Sequence, residues 1–307
     1  MVTKAQRTGN SFMSSESKKS RRFAWVLALV VVFFGGDRLL AKILAKGVEQ
    51  SQFRYSRMYR GEAEASILLI GNSRGLGFYQ PYIEEVTGEK TFNLSYNGMT
   101  MDVASVLIAD YLEQYSEARL LVLDVTMCDR KSIPFVTGFA SYIPYSSRIQ
   151  QLISETNLTA YYAQKVSHLF RYNNEVYQRT LYYQNHSDEE WLLERNITDA
   201  MEEEVSTEEY RIDLRWVEKL NETIDLAEEK GVEVKLVINP YYLPFAEILE
   251  GLEVFKTQIE TVTQHKVYDF SEALTSKEYF GDYQHLNQKG SRAYVDLLKK
   301  EGIFDLK

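Results

Sequence analysis

Five short apolar runs constrain this chain most: SILLI at 66–70, KTFNL at 90–94, RLLVLDV at 119–125, VEVKLVI at 232–238 and KVYDF at 266–270. Runs of this length and continuity fit strands buried on both faces of a parallel sheet. Helical stretches separate them, at 76–87, 101–117, 207–230, 244–263 and 288–300. In the second of these, Val103, Val106, Leu107, Tyr111 and Leu112 recur at close to helical spacing. Ser206 and Glu209 read as a capping box opening the third, and Gly231 as its stop before the next strand. Such alternation predicts a doubly wound, three-layer α/β sandwich of about five parallel strands. Right-handed crossovers then place the functional loops at the carboxyl ends of the strands.

The N-terminal region follows different rules. Lys18, Lys19, Arg21 and Arg22 precede FAWVLALVVVFFGG, fourteen residues without a charge. A membrane span needs about 20 residues, so this core is short unless Asp37 and Arg38 sit at the interface and Leu39 and Leu40 extend it. The favoured reading is an uncleaved signal anchor; a cleaved secretory signal and a buried core helix are the alternatives. The positive-inside rule places residues 1–22 in the cytoplasm and the chain beyond about residue 40 outside. The predicted organisation is a cytoplasmic tail at 1–22, disordered through residue 20, an anchor at 23–40, an amphipathic stalk helix at 41–62 and a catalytic-type domain at 63–307.

Charge excludes one class of partner. Residues 1–42 hold eight Lys/Arg and two Asp/Glu of the 35 and 44 in the chain, leaving 27 basic and 42 acidic groups, a net of −15, in the rest. Such a body repels phosphate backbones, so no nucleic acid is expected. The one cysteine, Cys128, excludes an internal disulfide framework and a clustered-thiolate metal site. No cofactor or metal is expected. Residues 127–205 interrupt the strand–helix rhythm and are rich in Tyr, Asn and Gln. They read as a mostly helical cap beside the strand ends, either a surface elaboration or a substrate wall suited to a glycan.

Three stretches carry candidate chemistry. GNSRGLG follows the first strand. It lacks the lysine of a phosphate-binding P-loop, and its glycines, Gly71, Gly75 and Gly77, are in the wrong order for a dinucleotide fingerprint. It fits instead a sharp strand-to-helix turn that lifts the hydroxyl of Ser73 above the sheet. FNLSYNGMT follows the second strand and offers Asn93, Asn97 and Gly98, whose amides and unhindered backbone N–H suit an oxyanion. DYQHLN, near the end, places Asp282 three residues before His285, close enough for the carboxylate to hold the imidazole and set its tautomer. His285, of the four histidines, is the one with an acid beside it in a loop after the last strand.

Together, in this order, the three stretches resemble the SGNH (GDSL-like) hydrolase superfamily over about residues 66–300. The resemblance implies a flavodoxin-like sandwich with Ser73 as nucleophile, His285 as general base and Asp282 as the acid that orients it. Gly98 corresponds to the second-block glycine of the oxyanion hole. With the N-terminal anchor, the chain is most similar to membrane-anchored members of bacterial envelope and exopolysaccharide pathways, including O-acetyltransferases and the protein that assists D-alanylation of teichoic acid. Two departures stand out. Asn72 replaces the usual acidic residue, and the Gly-x-Asn-Asp block is missing from the third strand end, LDVTMCDRK. Asn97, or the backbone N–H groups of Ser73 and Gly98, would then form the hole. Arg74 reads as a partner for an anionic substrate, or as a surface ion pair.

The expected function is an extracytoplasmic serine esterase or O-acyltransferase acting on a polysaccharide or other acylated glycan, with a membrane acyl-donor protein as a possible partner. The alternative is a catalytically weak or inactive relative serving glycan binding or assembly.

Overall fold

The computed structural model describes residues 13–129, 132–188, 192–203 and 209–306. Its centre is a sheet of five strands: β1 (Ile67–Ile70), β2 (Thr91–Asn93), β3 (Leu120–Asp124), β4 (Glu233–Ile238) and β5 (Val267–Asp269). All neighbours are parallel, in the order β2-β1-β3-β4-β5. This is the flavodoxin-like order, in which the chain reverses direction beside β1 and leaves a crevice at the carboxyl ends there.

Two helices precede the sheet, α1 (Met13–Gln50) and α2 (Arg54–Arg60), while α3 (Gln80–Thr87) and α4 (Met101–Gln114) link the first three strands. After β3 come α5 (Ile133–Gly138), α6 (Ser147–Thr156), α7 (Leu158–Val166), α8 (Glu175–Tyr182), α9 (Asp199–Glu203) and α10 (Leu214–Glu229). Then α11 (Leu243–Ala246), α12 (Leu252–Thr263) and α13 (Gln288–Lys300) complete the fold. Alternate strand residues face opposite layers, as pleating requires. Leu68, Ile70, Leu121, Leu123, Leu236 and Ile238 pack toward α4, α10 and α12. Ile67, Leu69, Leu120, Val122 and Val237 pack toward α3 and α13.

Several boundaries differ from the sequence pattern for local reasons. The first predicted helix begins at Gln80 because residues 73–77 form a tighter 3-10 turn and a proline occupies the first turn of α3. The helix expected over 207–230 begins at Leu214, where the Asp213 carboxylate accepts the Arg215 N–H as N-cap. Ser206 of the expected capping box lies outside the described residues, and Glu209 bridges Glu250. The stretch 244–263 divides at Gly251, whose φ is +80° and whose added Cβ would lie 2.7 Å from the Tyr210 carbonyl oxygen.

The N-terminal helix is continuous from Met13 to Gln50. Over Lys19–Gln50 it is long and apolar enough to cross a membrane. The segment expected as a stalk is packed into the domain: Ala41, Val48, Phe53, Tyr55 and Met58 are buried. Their partners are largely the tyrosines of the insertion. Tyr142, Tyr172, Tyr177 and Tyr183 are buried too, and the Phe53 and Tyr183 rings stack with centroids 5.4 Å apart. Much of the Tyr-rich composition is therefore interior packing between α1, α2 and the insertion, rather than an exposed aromatic wall.

Candidate active site

The turn after β1 is shaped by close packing. A Cβ at Gly71 would lie 3.0 Å from both Asp124 Cβ and Gly75 Cα, and one at Gly75 would lie 2.4 Å from Ser95 Oγ. Asn72 caps the 3-10 turn, its Oδ1 accepting the Arg74 N–H at 3.0 Å. From the end of β2, Asn93 Nδ2 donates to the carbonyls of Gly75 and Phe78, each at 3.0 Å. Glycines and amides thus clamp the turn from both sides and leave Ser73 half-buried at its head.

The DYQHLN turn is built as firmly. Gly281 N–H donates to the His285 carbonyl at 2.8 Å, closing the loop, and Phe280 bridges Leu286. Asn287 caps α13, accepting the Gly290 N–H at 2.9 Å while its Nδ2 donates to Asn196 Oδ1 and the Glu278 carbonyl, each at 2.8 Å. Gly290 permits this approach, since an added Cβ would lie 1.9 Å from the Tyr279 carbonyl oxygen.

The two turns meet. His285 Nε2 lies 2.8 Å from Ser73 Oγ, and His285 Nδ1 lies 2.8 Å from Asp282 Oδ1. Asp282 Oδ1 also accepts the N–H groups of Gln284 and His285, both at 3.0 Å. Its other oxygen accepts from Arg195 Nη2 at 2.6 Å. Burial pushes the Asp282 carboxyl up, but the hydrogen bond and charge of His285, the Gln284 N–H and Arg195 outweigh it and hold it well below the usual carboxylate range. An ionised Asp282 keeps the Nδ1 proton on the imidazole and leaves Nε2 to accept from the serine hydroxyl. The other histidines are elsewhere: His186 stacks on Tyr182, His265 Nε2 lies 2.9 Å from Glu228, and the His168 N–H donates to Asp37 at 2.8 Å.

The Arg74 guanidinium is buried in a polar network beside the turn, and Arg74 also lines the cleft at Ser73 and His285. Its side chain is 4% exposed, its guanidinium lies over the Tyr241 ring at 4.4 Å, and its Nε is 3.9 Å from Asp124 Oδ2. Its Nη2 donates to Thr126 Oγ1, which also accepts from Asn72 Nδ2 at 3.0 Å and donates to Asp124 Oδ1 at 2.6 Å. Asn239, at the end of β4, donates to Asp124 Oδ2 at 3.0 Å and accepts from the Tyr294 hydroxyl at 2.6 Å. Burial disfavours the charge on Arg74, yet the tyrosines Tyr210 and Tyr241 and the carboxylates of Asp124 and Asp129 raise its pKa above the ordinary arginine value. The residue read as a substrate-anion partner, or as a surface ion pair, is instead the cation of a buried hub. Asp124 and Thr126, at the end of β3, are committed to Arg74 and Asn72 in that hub.

The loop after β2 holds Asn97 and Gly98 in a turn closed by the Met99 N–H on the Tyr96 carbonyl at 3.0 Å. Gly98 has φ +70°, a conformation natural to glycine. Neither residue lines the small cleft at Ser73 and His285; Asn97 lines a neighbouring one with Tyr96 and Arg179, and Leu76 borders both. The cleft itself is walled by Leu76, Leu192, Leu193 and Leu286, and Arg74, Gly77 and Ser291 also line it. Leu192, Leu193 and Arg195 belong to the insertion, whose backbone joins the DYQHLN turn through Gln288 N–H on the Leu193 carbonyl and Ile197 N–H on the Phe280 carbonyl, both at 2.9 Å. No local motif marks these residues; only the tertiary fold brings them to the site.

No protein-family model matches the sequence, and no curated protein matches it. Among solved structures, the chain is similar to one described as a candidate acylhydrolase from Bacteroides fragilis, with 9% identity, a TM-score of 0.39, and coverage of 76% of this chain and 85% of that one. It is also similar to one described as a candidate platelet activating factor from Streptococcus pneumoniae, with 16% identity, a TM-score of 0.43, and coverage of 86% and 96%. Likeness at this level carries no information on activity, which rests on the side chains themselves.

Proposed function

We propose that this protein is a serine acyl-ester enzyme, an esterase or O-acyltransferase, with Ser73, His285 and Asp282 as its triad. The observation that carries this is His285 standing between Ser73 Oγ and Asp282 Oδ1, 2.8 Å from each. His285 Nε2 takes the Ser73 proton as Oγ attacks the acyl carbonyl, and Asp282 stabilises the imidazolium that forms. The tetrahedral intermediate collapses as His285 returns the proton to the departing alcohol oxygen, leaving the acyl group on Ser73. Water then yields the free acid, or a sugar hydroxyl takes the acyl group, with His285 again as base. The oxyanion faces the backbone N–H at the head of the Ser73 turn, while Asn97 and Gly98, the other expected donors, do not line the cleft.

The small, leucine-walled cleft beside Ser73 and His285 favours a short acyl group over a long chain. The basic residues before the apolar helix favour a cytoplasmic N-terminus and an extracytoplasmic catalytic domain. A tethered enzyme in that position suits an envelope polysaccharide, with the acyl group delivered by a membrane protein.

A second reading, a catalytically weak assembly or glycan-binding component, is favoured by the commitment of Asp124 and Thr126 to the buried hub, since β3 then offers no side-chain oxyanion donor. A fluorophosphonate probe separates the two. Labelling of the wild type and not of Ser73→Ala supports the enzyme. No labelling of a folded wild type, with glycan binding retained, supports the assembly role.

A further inference from the structure

Resting on the reading of α1 as a membrane span, we infer that the apolar surface formed by Leu158, Tyr162 and Val166 of α7, with Phe170 in the turn that follows it, is a second membrane contact, seated in the outer leaflet beside the anchor. The uncharged run Phe23–Gly36 covers roughly 21 Å as a helix, against a hydrocarbon core of about 30 Å. Filling that thickness takes the helix on to about Ile43, so Asp37 and Arg38 lie within the depth of the membrane and the exposed Lys42 lies at its edge, where its apolar stem lets the ammonium reach the interface. The helix surface agrees: Leu39, Leu40 and Ile43 are all more than half exposed.

The two charges are tolerated at that depth because the insertion satisfies them. Asp37 accepts from Ser167 Oγ at 2.5 Å, from the His168 N–H at 2.8 Å and from the Leu169 N–H at 3.2 Å. Arg38 donates to Asp37 at 2.7 Å, to the Val166 carbonyl at 2.8 Å and to the Lys165 carbonyl at 3.3 Å. Charged residues inside a membrane pair in this way with one another and with backbone groups. These bonds also fix depth. Residues 165–169 sit beside Asp37 and Arg38, so they lie where those residues lie.

The residues presented there are apolar. Leu158, Tyr162 and Val166 recur at four-residue spacing on α7, Phe170 continues the stripe, and all four are between 43% and 61% exposed. Lys165 donates to the Tyr161 hydroxyl at 2.6 Å. A tyrosine and a lysine with a long apolar stem are the residues that sit at a lipid interface. An anchor and an apolar stripe joined by these hydrogen bonds would hold Ser73 at a set height and tilt above the bilayer, rather than on a free tether.

The test uses the full chain in lipid nanodiscs, with its buried Cys128 replaced by alanine. An environment-sensitive NBD label is placed in turn at Tyr162→Cys, Val166→Cys, Val30→Cys in the apolar helix, and Glu301→Cys beyond α13. The expected result is a blue-shift and loss of intensity to doxyl-labelled lipid at 162, 166 and 30, and neither at 301. Water-like emission at 162 and 166 with quenching at 30 overturns the inference and leaves the anchor intact, the bilayer then thinning to meet the short helix. A blue-shift at 162 and 166 without doxyl quenching also overturns it, because a protein surface then covers the stripe. Absence of quenching at 30 overturns the membrane reading itself.

Discussion

Ser73 and Arg74 are adjacent in sequence, yet they serve opposite sides of one turn. Above it, Ser73, His285 and Asp282 form a line of hydrogen bonds at the mouth of a cleft, with the His285 and Asp282 side chains 28% and 16% exposed. Below it, Arg74, Asp124, Thr126, Asn239 and Tyr294 form a buried network that ties the ends of β1, β3 and β4 to α13. The difference teaches a division of labour. The open line has the solvent access that proton transfer and substrate entry require, while the closed network holds the strand end that aims the serine. Changes above the turn should therefore alter rate without altering the fold, and changes below it should alter the fold first.

The largest effect should come from Ser73→Ala, which removes the proposed nucleophile and should lower kcat by roughly 10⁴–10⁶-fold. Because Ser73 is half-buried in a turn held by Asn72 and Asn93, its thermal midpoint should match that of the wild type. Ester turnover and a melting curve on the same preparation check both halves. Asp282→Asn should follow, at about 10⁴-fold in kcat, through loss of the tautomer that leaves Nε2 free to accept. It carries a pH signature in stability as well. The folded-state pKa of Asp282 is below its unfolded value, so its stabilising contribution is complete above about pH 4 and is lost as the pH falls through the folded-state value. The gap in melting temperature between wild type and Asp282→Asn should be constant from neutral pH down to about pH 4 and narrow below it.

Much of the upper site is legible in sequence because its parts are local. A serine directly after a doubly buried strand and an Asp-x-x-His turn before a terminal helix are short patterns, and the central strands β1 and β3 stand out as apolar runs buried on both faces. Ser73, Asp282 and His285 come together as those patterns suggest. The hub below is not legible, because sequence does not reveal which side of a 3-10 turn a residue faces. Arg74 looks like a surface cation until Tyr241 and Asp124 are seen to enclose it. Arg195 is hidden for another reason: it lies 87 residues from the Asp282 it meets, in a stretch of the insertion that forms neither helix nor named strand. The insertion's tyrosines mislead similarly, since the same side chain suits a glycan wall and a protein interior. What separates the two roles is the packing of α1 and α2, which composition does not report.

The lower network should respond in stability. Arg74→Met keeps much of the apolar stem over Tyr241 but leaves Asp124 without its cation in a fully buried site. Breaking a buried pair in this way costs about 3–5 kcal/mol, and denaturant unfolding should show a loss on that scale. Activity should fall only as far as the Ser73 turn loosens. Arg74→Met with Asp124→Asn should recover part of the loss, since the neutral amide needs no counter-charge. Recovery of activity in step with stability would place the hub's role in support of the turn. Loss of activity in a variant as stable as the wild type would instead return Arg74 to the reacting groups and erase the contrast between the two sides.

The smallest effect is expected at Arg195, the contact that crosses from the insertion to the triad. Its guanidinium lies 2.6 Å from Asp282 Oδ2, but its side chain is 55% exposed. Exposed ion pairs contribute about 0–1 kcal/mol, so Arg195→Ala should lower kcat by no more than about fivefold. Two readouts separate a positioning role from a structural one. If Arg195 orients the Asp282 carboxylate, the loss should fall on kcat rather than KM, Arg195→Lys should restore part of it, and wild type and variant should converge as added salt screens the pair. If Arg195 serves only to dock residues 193–197 beside the DYQHLN turn, the variant should melt earlier, and salt should leave the difference in kcat untouched. The first pattern would extend the upper line of hydrogen bonds by one residue into the insertion and make that insertion part of the catalytic apparatus.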